Sequence, residues 1–249
     1  MAKKSGLGDE LFFGGYQLSN DIQQLSVGMP SALLEVPGIN SSAMERVYGK
    51  RDGQINFTSY FNDAAGRAHP VLSARPSTDV QLLYCRGTTL GDPACGQVAK
   101  QVGYDPARGE DGSLLMTVQT LANLYPAEWG KQLTAGLDNI TGAGNGTGVD
   151  FGTGSTAFGL AAYLQVTGFS GTSVTFTLEE SSDDASSDAY APVTGGAFTA
   201  VAAANVVQRI ETSLTQTVER YLRWSAAGTF SSCDFVLMVI RYGGANRET

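Results

Sequence analysis

Histidine is nearly absent from this chain: His69 is the only one among 249 residues. A Ser-His-Asp relay would have to run through it, yet it sits directly before Pro70, and no Gly-x-Ser-x-Gly elbow occurs anywhere. A turn or helix-start role is expected instead. Cysteine is almost as scarce. Cys85, Cys95 and Cys233 form an odd set whose spacing matches no zinc ribbon or finger, which points to free thiols in a reducing compartment. No apolar run approaches the roughly 18 residues of a spanning helix, so no membrane association is expected. Charged residues make up 16% of the chain, where soluble domains carry about 25%. With 16 basic against 24 acidic residues the net charge is −8, which argues against a nucleic-acid clamp built on phosphate contacts. Met1-Ala2-Lys3-Lys4-Ser5 starts basic but leads into Gly6-Leu7-Gly8-Asp9-Glu10, so no signal peptide is expected there.

Glycine, serine, threonine and alanine take the place of the missing charge, with 31 glycines alone. A surface of small neutral groups loses little side-chain entropy when covered, which suits permanent contacts. The apolar share of 42% is too high for a disordered chain. Alternation at period two dominates. Val174, Phe176 and Leu178 face one way against Ser173, Thr175 and Thr177, and Ile55, Phe57 and Phe61 do the same against Gln54, Asn56 and Thr58. Asp79–Tyr84 and Leu114–Val118 are further strands. Phe235–Ile240, apolar on both faces, reads as a buried central strand. His69–Pro76 predicts a short helix with Pro70 in its first turn, while Asn205–Leu214 fits helix or strand. Short strands punctuated by Gly and Pro predict an all-β sandwich or barrel.

Patterns that carry chemistry are few. Gly142 to Gly159 has neither a Gly-x-Gly-x-x-Gly register nor a following Gly-Lys-Ser/Thr, so it is no phosphate cradle. Glu179-Glu180-Ser181-Ser182-Asp183-Asp184, leading to Asp188, lacks the spacing of a calcium loop and reads as a solvated turn. Carboxylate pairs for glycoside hydrolysis leave no spacing signature, and the two tryptophans, Trp129 and Trp224, lie in patterned segments that favour core packing. No catalytic residues, metal ligands or cofactor site are expected. Thr141 to Gly148 reads as a linker, and no basic residue lies between Lys131 and Arg209. These shifts predict a β domain over 1–140, a glycine-rich linker over 141–154 and a C-terminal β module over 155–249.

An ordered series of segments resembles the major tail protein, or tail tube subunit, of long-tailed bacteriophages. Phe12-Phe13-Gly14-Gly15-Tyr16-Gln17-Leu18-Ser19-Asn20-Asp21-Ile22 is similar to the family's opening strand and its Leu-Ser-x-Asp turn. Val36 to Arg46 takes the place of its loop region, and Gly49-Lys50-Arg51-Asp52-Gly53 is similar to its Gly-x-x-Asp-Gly entry into a long strand. His69-Pro70-Val71-Leu72 and Pro76-Ser77-Thr78-Asp79-Val80 stand for the short helix and the next strand. From Val149 to Tyr242, segments such as Gly168-Phe169-Ser170-Gly171-Thr172 and Val218 to Arg223 resemble a β module of phage tail proteins. The resemblance implies a tail-tube-like sandwich with one short helix and a second β-sandwich module. It further implies hexameric rings stacked into a tube in the virion tail, assembled in the bacterial cytoplasm, through which DNA passes without specific binding. Tape measure and terminator proteins would be its partners. Glu45, Arg46, Lys50, Arg51 and Asp52, dense mixed charge in a charge-poor chain, are the candidate inter-subunit contacts, with a solvated hairpin tip as the other reading. A capsid decoration or minor tail protein is the alternative within phage particles, and a carbohydrate-binding β-sandwich is the more distant one.

Overall fold

The computed structural model describes residues 5–152 and 154–244, so the basic start at Met1–Lys4 lies outside the described residues. In chain order the strands are β1 (Glu10–Phe13), β2 (Tyr16–Gln17), β3 (Ile22–Gly28), β4 (Ser31–Glu35), β5 (Arg46–Arg51) and β6 (Gln54–Tyr60). They continue as β7 (Val80–Cys85), β8 (Pro93–Arg108), β9 (Leu114–Ala122), β10 (Glu128–Gln132), β11 (Asp138–Ile140) and β12 (Gly144–Asn145). The last are β13 (Val149–Asp150), β14 (Leu160–Ser181), β15 (Ala191–Ala197), β16 (Val206–Glu211) and β17 (Tyr221–Arg241). Among the described residues a single α-helix, α1 (Ala68–Ser73), interrupts them. The protein is all-β, as its patterning predicts. Asn205–Leu214 resolves to a strand, in line with its β-branched residues. No helix among the described residues is long and apolar enough to cross a membrane.

The chain folds into two compact units. One comprises the residues up to Ser19, Leu83–Gly96 and those from Trp129 onward; the other comprises Asn20–Leu82 and Gln97–Glu128. The segment 141–154, expected as a linker, lies within the first of these. Its strands β12 and β13 both pair with β17, and the Gly146 N–H donates to the Trp224 carbonyl at 2.8 Å. A Cβ on Gly146 would collide with the Trp224 indole. Glycine there permits close approach, a use that a sequence does not separate from flexibility.

The first unit is built on an antiparallel ribbon of β14 and β17, paired from Leu160↔Arg241 to Ser181↔Tyr221. Strands of this length, about 70 Å if straight, must bend to bury their faces. Register shifts between Val166 and Ser173 supply the bend, where Gly168 and Gly171 oppose Asp234 and Phe230. β17 curls until Arg241 at its end donates to the carbonyl of Glu219, just ahead of its start (2.9 Å). Leu164, Val166, Val174, Phe176, Leu178, Leu222, Phe235 and Leu237 fill the interior. Trp224 and Phe176 pack on Phe235 with ring centroids 5.3 and 4.5 Å away. Each such buried side chain contributes about 1.5–3 kcal/mol.

The second unit holds a sheet in the order β3–β6–β9–β8. Ile55, Phe57 and Ser59 of β6 and Met116, Val118 and Thr120 of β9 are buried on one face. Helix α1 buries Ala68 and Leu72. Asp21 anchors its start: Oδ1 accepts from Asn62 Nδ2 (2.9 Å) and Arg67 Nη2 (3.2 Å), and Oδ2 from the Ala68 N–H (3.2 Å). An acidic side chain at a helix N-terminus satisfies an orphan donor there. His69, in the first turn of α1, shares a 2.8 Å hydrogen bond with the Tyr104 hydroxyl and packs on Phe61, which places it at the helix start, one of the two roles expected of it.

Candidate interaction surface

The β3–β6 hairpin of the second unit runs on into β4 and β5, which form a two-stranded sheet of their own. The register pairs Leu33 with Tyr48, Leu34 with Val47 and Glu35 with Arg46, and the ladder ends where the Val36 N–H donates to the Glu45 carbonyl (3.0 Å). Successive side chains of a strand alternate between faces. The Leu33–Tyr48 pair therefore lies on one face and the Leu34–Val47 pair on the other. All four are exposed, at 56% and 79% for the first pair and 54% and 52% for the second. Val36, Ile39 and Met44 near the tip and Met29 at the root are exposed as well. An isolated two-stranded ribbon is marginally stable in water, and this one exposes apolar side chains on both faces.

The five charged candidates all fall on this ribbon. Glu45 closes the tip, where its Oε1 accepts from the Ser41 hydroxyl at 3.4 Å. Arg46 pairs with Glu35 across the strands at 3.4 Å with both side chains about half exposed, an arrangement worth at most about 1 kcal/mol. Lys50 and Arg51 end β5. Asp52 sits at the root: its N–H donates to the Pro30 carbonyl (2.9 Å), and its Oδ1 accepts from the Gly53 N–H (2.8 Å). Gly53 is fixed by close approach, since a Cβ there would collide with the Ala127 backbone N. Three acids (Glu35, Glu45, Asp52) balance three bases (Arg46, Lys50, Arg51), so the arm is neutral in a chain of net charge −8. Sequence reasoning singled out these charges and missed the apolar residues between them. The available signal was the run Ser31-Ala32-Leu33-Leu34-Glu35-Val36 enclosed by Pro30 and Pro37.

Two further features adjoin the arm. β3 pairs with β6 alone among the described residues, leaving its other edge open over a stretch without charge or proline. The sheet face opposite the core carries Gln24, Ser26, Gln54, Asn56, Thr58, Thr117 and Gln119, with no charged residue across β3, β6 and β9. In the acidic turn, Asp183 accepts from the Ser187 hydroxyl and from the Asp188 and Ser187 N–H groups, and Asp188 accepts from the Ser182 N–H, which holds both carboxyls below the usual range. No group of three or more potential metal ligands is found among the described residues. All three cysteines are buried free thiols. Trp224 lies in the core as expected, but Trp129 is only half-buried and lines two open clefts.

No family model matches the chain, and no curated protein matches it. Solved structures similar to it include the virion of a native gene transfer agent particle, at a TM-score of 0.41 and 9% identity over 51% of this chain and 98% of that one. The Dit protein of SPP1, described as a hub adsorption apparatus, gives 0.31 and 11% over 93% and 98%. The phage p2 baseplate in its activated conformation gives 0.32 and 8% over 92% and 97%. Likeness at this level carries no inference about function, which rests on the chain's own residues.

Proposed function

We propose that this chain is a non-enzymatic structural subunit of a bacteriophage tail that assembles into stacked hexameric rings, a tube through which DNA leaves the particle. The observation that carries the reading is the β4–β5 arm, whose two apolar faces are stable only when covered. A second copy suits it because the arm is neutral and apolar, so it approaches another acidic copy without like-charge repulsion. Glu45, Arg46, Lys50, Arg51 and Asp52 then set the register of that contact more than its strength. The open edge of β3 supports ring closure, since an unpaired, uncharged edge strand is a liability that pairing with a neighbour removes. Across β3, β6 and β9 the amide and hydroxyl face of the same sheet suits a lumen, because these three strands offer phosphate no cationic partner.

Sedimentation velocity of the concentrated protein tests the reading. Wild type is expected to form large assemblies, and Leu33→Asp/Tyr48→Asp to remain a folded monomer by circular dichroism. Assemblies from the double variant equal to wild type would remove the arm from the contact. Discrete trimers that bind capsids would favour a decoration protein. A monomer that binds polysaccharide would favour a carbohydrate-binding module.

A further inference from the structure

In the first unit, the place where β17 curls back on itself forms an open cleft of about 250 Å³ lined by Trp129, Gly130, Lys131, Phe151, Ile240 and Arg241. The chain has few basic residues, yet three meet here. Lys131 Nζ and Arg241 Cζ lie 5.4 and 5.9 Å from the centroid of the Phe151 ring, and Arg220 lies beside Asp150. The one carboxylate close by is committed: Asp150 accepts from Arg220 Nε at 2.8 Å and Nη2 at 2.6 Å, a two-point pair that holds its carboxyl well below the usual range. Lys131 donates to the Asp150 backbone carbonyl (2.6 Å). Arg241 donates to the carbonyls of Gly154 (2.7 Å), Glu219 (2.9 Å) and Phe151 (3.1 Å). Among the described residues, the hydrogen bonds of both cleft cations thus go to neutral backbone oxygens, while the Asp150 carboxylate, hydrogen-bonded by Arg220, acts on both through its charge. Burial pushes the Arg241 guanidinium down from its ordinary value; the Asp150 carboxylate opposes that shift and the charge of Arg220 adds to it.

We infer that this cleft is an oxyanion site, taking a carboxylate or phosphate group between Lys131 and Arg241 against the aromatic walls of Trp129 and Phe151. A cleft of one sign with low-dielectric walls concentrates its potential, and here it does so on a protein whose net charge is of the opposite sign. The carbonyl contacts leave donors over: the ammonium has three N–H groups and the guanidinium five, of which one and three are used. The anion is either a free ion or an acidic side chain of a partner protein, and the two sources present the same group. The inference rests on the residues of this cleft and does not depend on assembly.

Titration of the soluble protein at constant ionic strength tests it, read by tryptophan fluorescence, with Trp129 in the cleft wall and Trp224 in the core as a constant background. Inorganic phosphate and N-acetylglutamate are the probes. A saturable response is expected, weakened at least tenfold in Lys131→Gln, retained in Lys131→Arg and unchanged in Arg108→Gln, which lies at the end of β8. Stronger binding of N-acetylglutamate assigns the site to a partner's acidic side chain, and stronger binding of phosphate assigns it to a free anion. No saturable response to either probe would overturn the inference. So would an equal response in a Lys131→Gln protein whose melting temperature matches wild type.

Discussion

Asp21 shows how much a single side chain organises. It holds Asn62, Arg67 and the first N–H of α1 together and is itself 5% exposed. Asp21→Ala would leave those donors without their acceptor, at a cost of about 2–3 kcal/mol, to be read from denaturant midpoints. Asp21→Asn should recover part of that loss. Glu10 acts through pH. Burial raises its carboxyl pKa above 4.5, against the lowering bonds from the Leu137 N–H and Gln17. The folded state therefore binds this proton more tightly than the unfolded chain. Its contribution to stability is present below pH 4.5 and is lost as pH rises through the raised value. Thermal melts across that window should fall less steeply with pH for Glu10→Gln than for wild type. Slopes that coincide would remove Glu10 from the balance. The Leu-Ser-x-Asp turn was legible in the sequence, but Asp21's three partners, 41 to 47 residues away, were not. No local pattern encodes such a hub.

At the scale of elements, period-two alternation located the β6 strand because one-sided burial imposes that period directly, and a run apolar on both faces located the doubly buried end of β17. It failed where exposure, not pattern, is decisive. Leu33, Leu34, Val47 and Tyr48 have the composition of a core hairpin, and only the fold shows both faces open. Glycine is ambiguous for a related reason: Gly146 packs closely on Trp224, a use that the sequence does not separate from a flexible joint. The arm's charges give a prediction at this scale. Arg46→Glu/Arg51→Glu should leave the far-ultraviolet spectrum and melting of the monomer within about 0.5 kcal/mol of wild type, while slowing or abolishing assembly. The same substitutions with normal assembly kinetics would return these residues to the role of a solvated tip.

For the molecule as a whole, the two readings of its organisation differ in where a protease should cut. A free linker over 141–154 predicts early cleavage there and a soluble 1–140 fragment. The pairing of β12 and β13 with β17, and the division of the chain into units that each draw on distant segments, predict resistance there. Limited proteolysis followed by mass spectrometry separates the two. The all-β class was legible from alternation. How segments far apart in sequence share one unit depends on the curling of β14 and β17, which no local signal carries.

Self-assembly through the arm into rings is the central claim, and negative-stain electron microscopy of the purified, concentrated protein tests it most directly. Six-fold rings or tubes from wild type, absent when residues 31–51 are replaced by a short turn, are the result predicted. Monodisperse single particles at every concentration, or rings that persist without the arm, would contradict it.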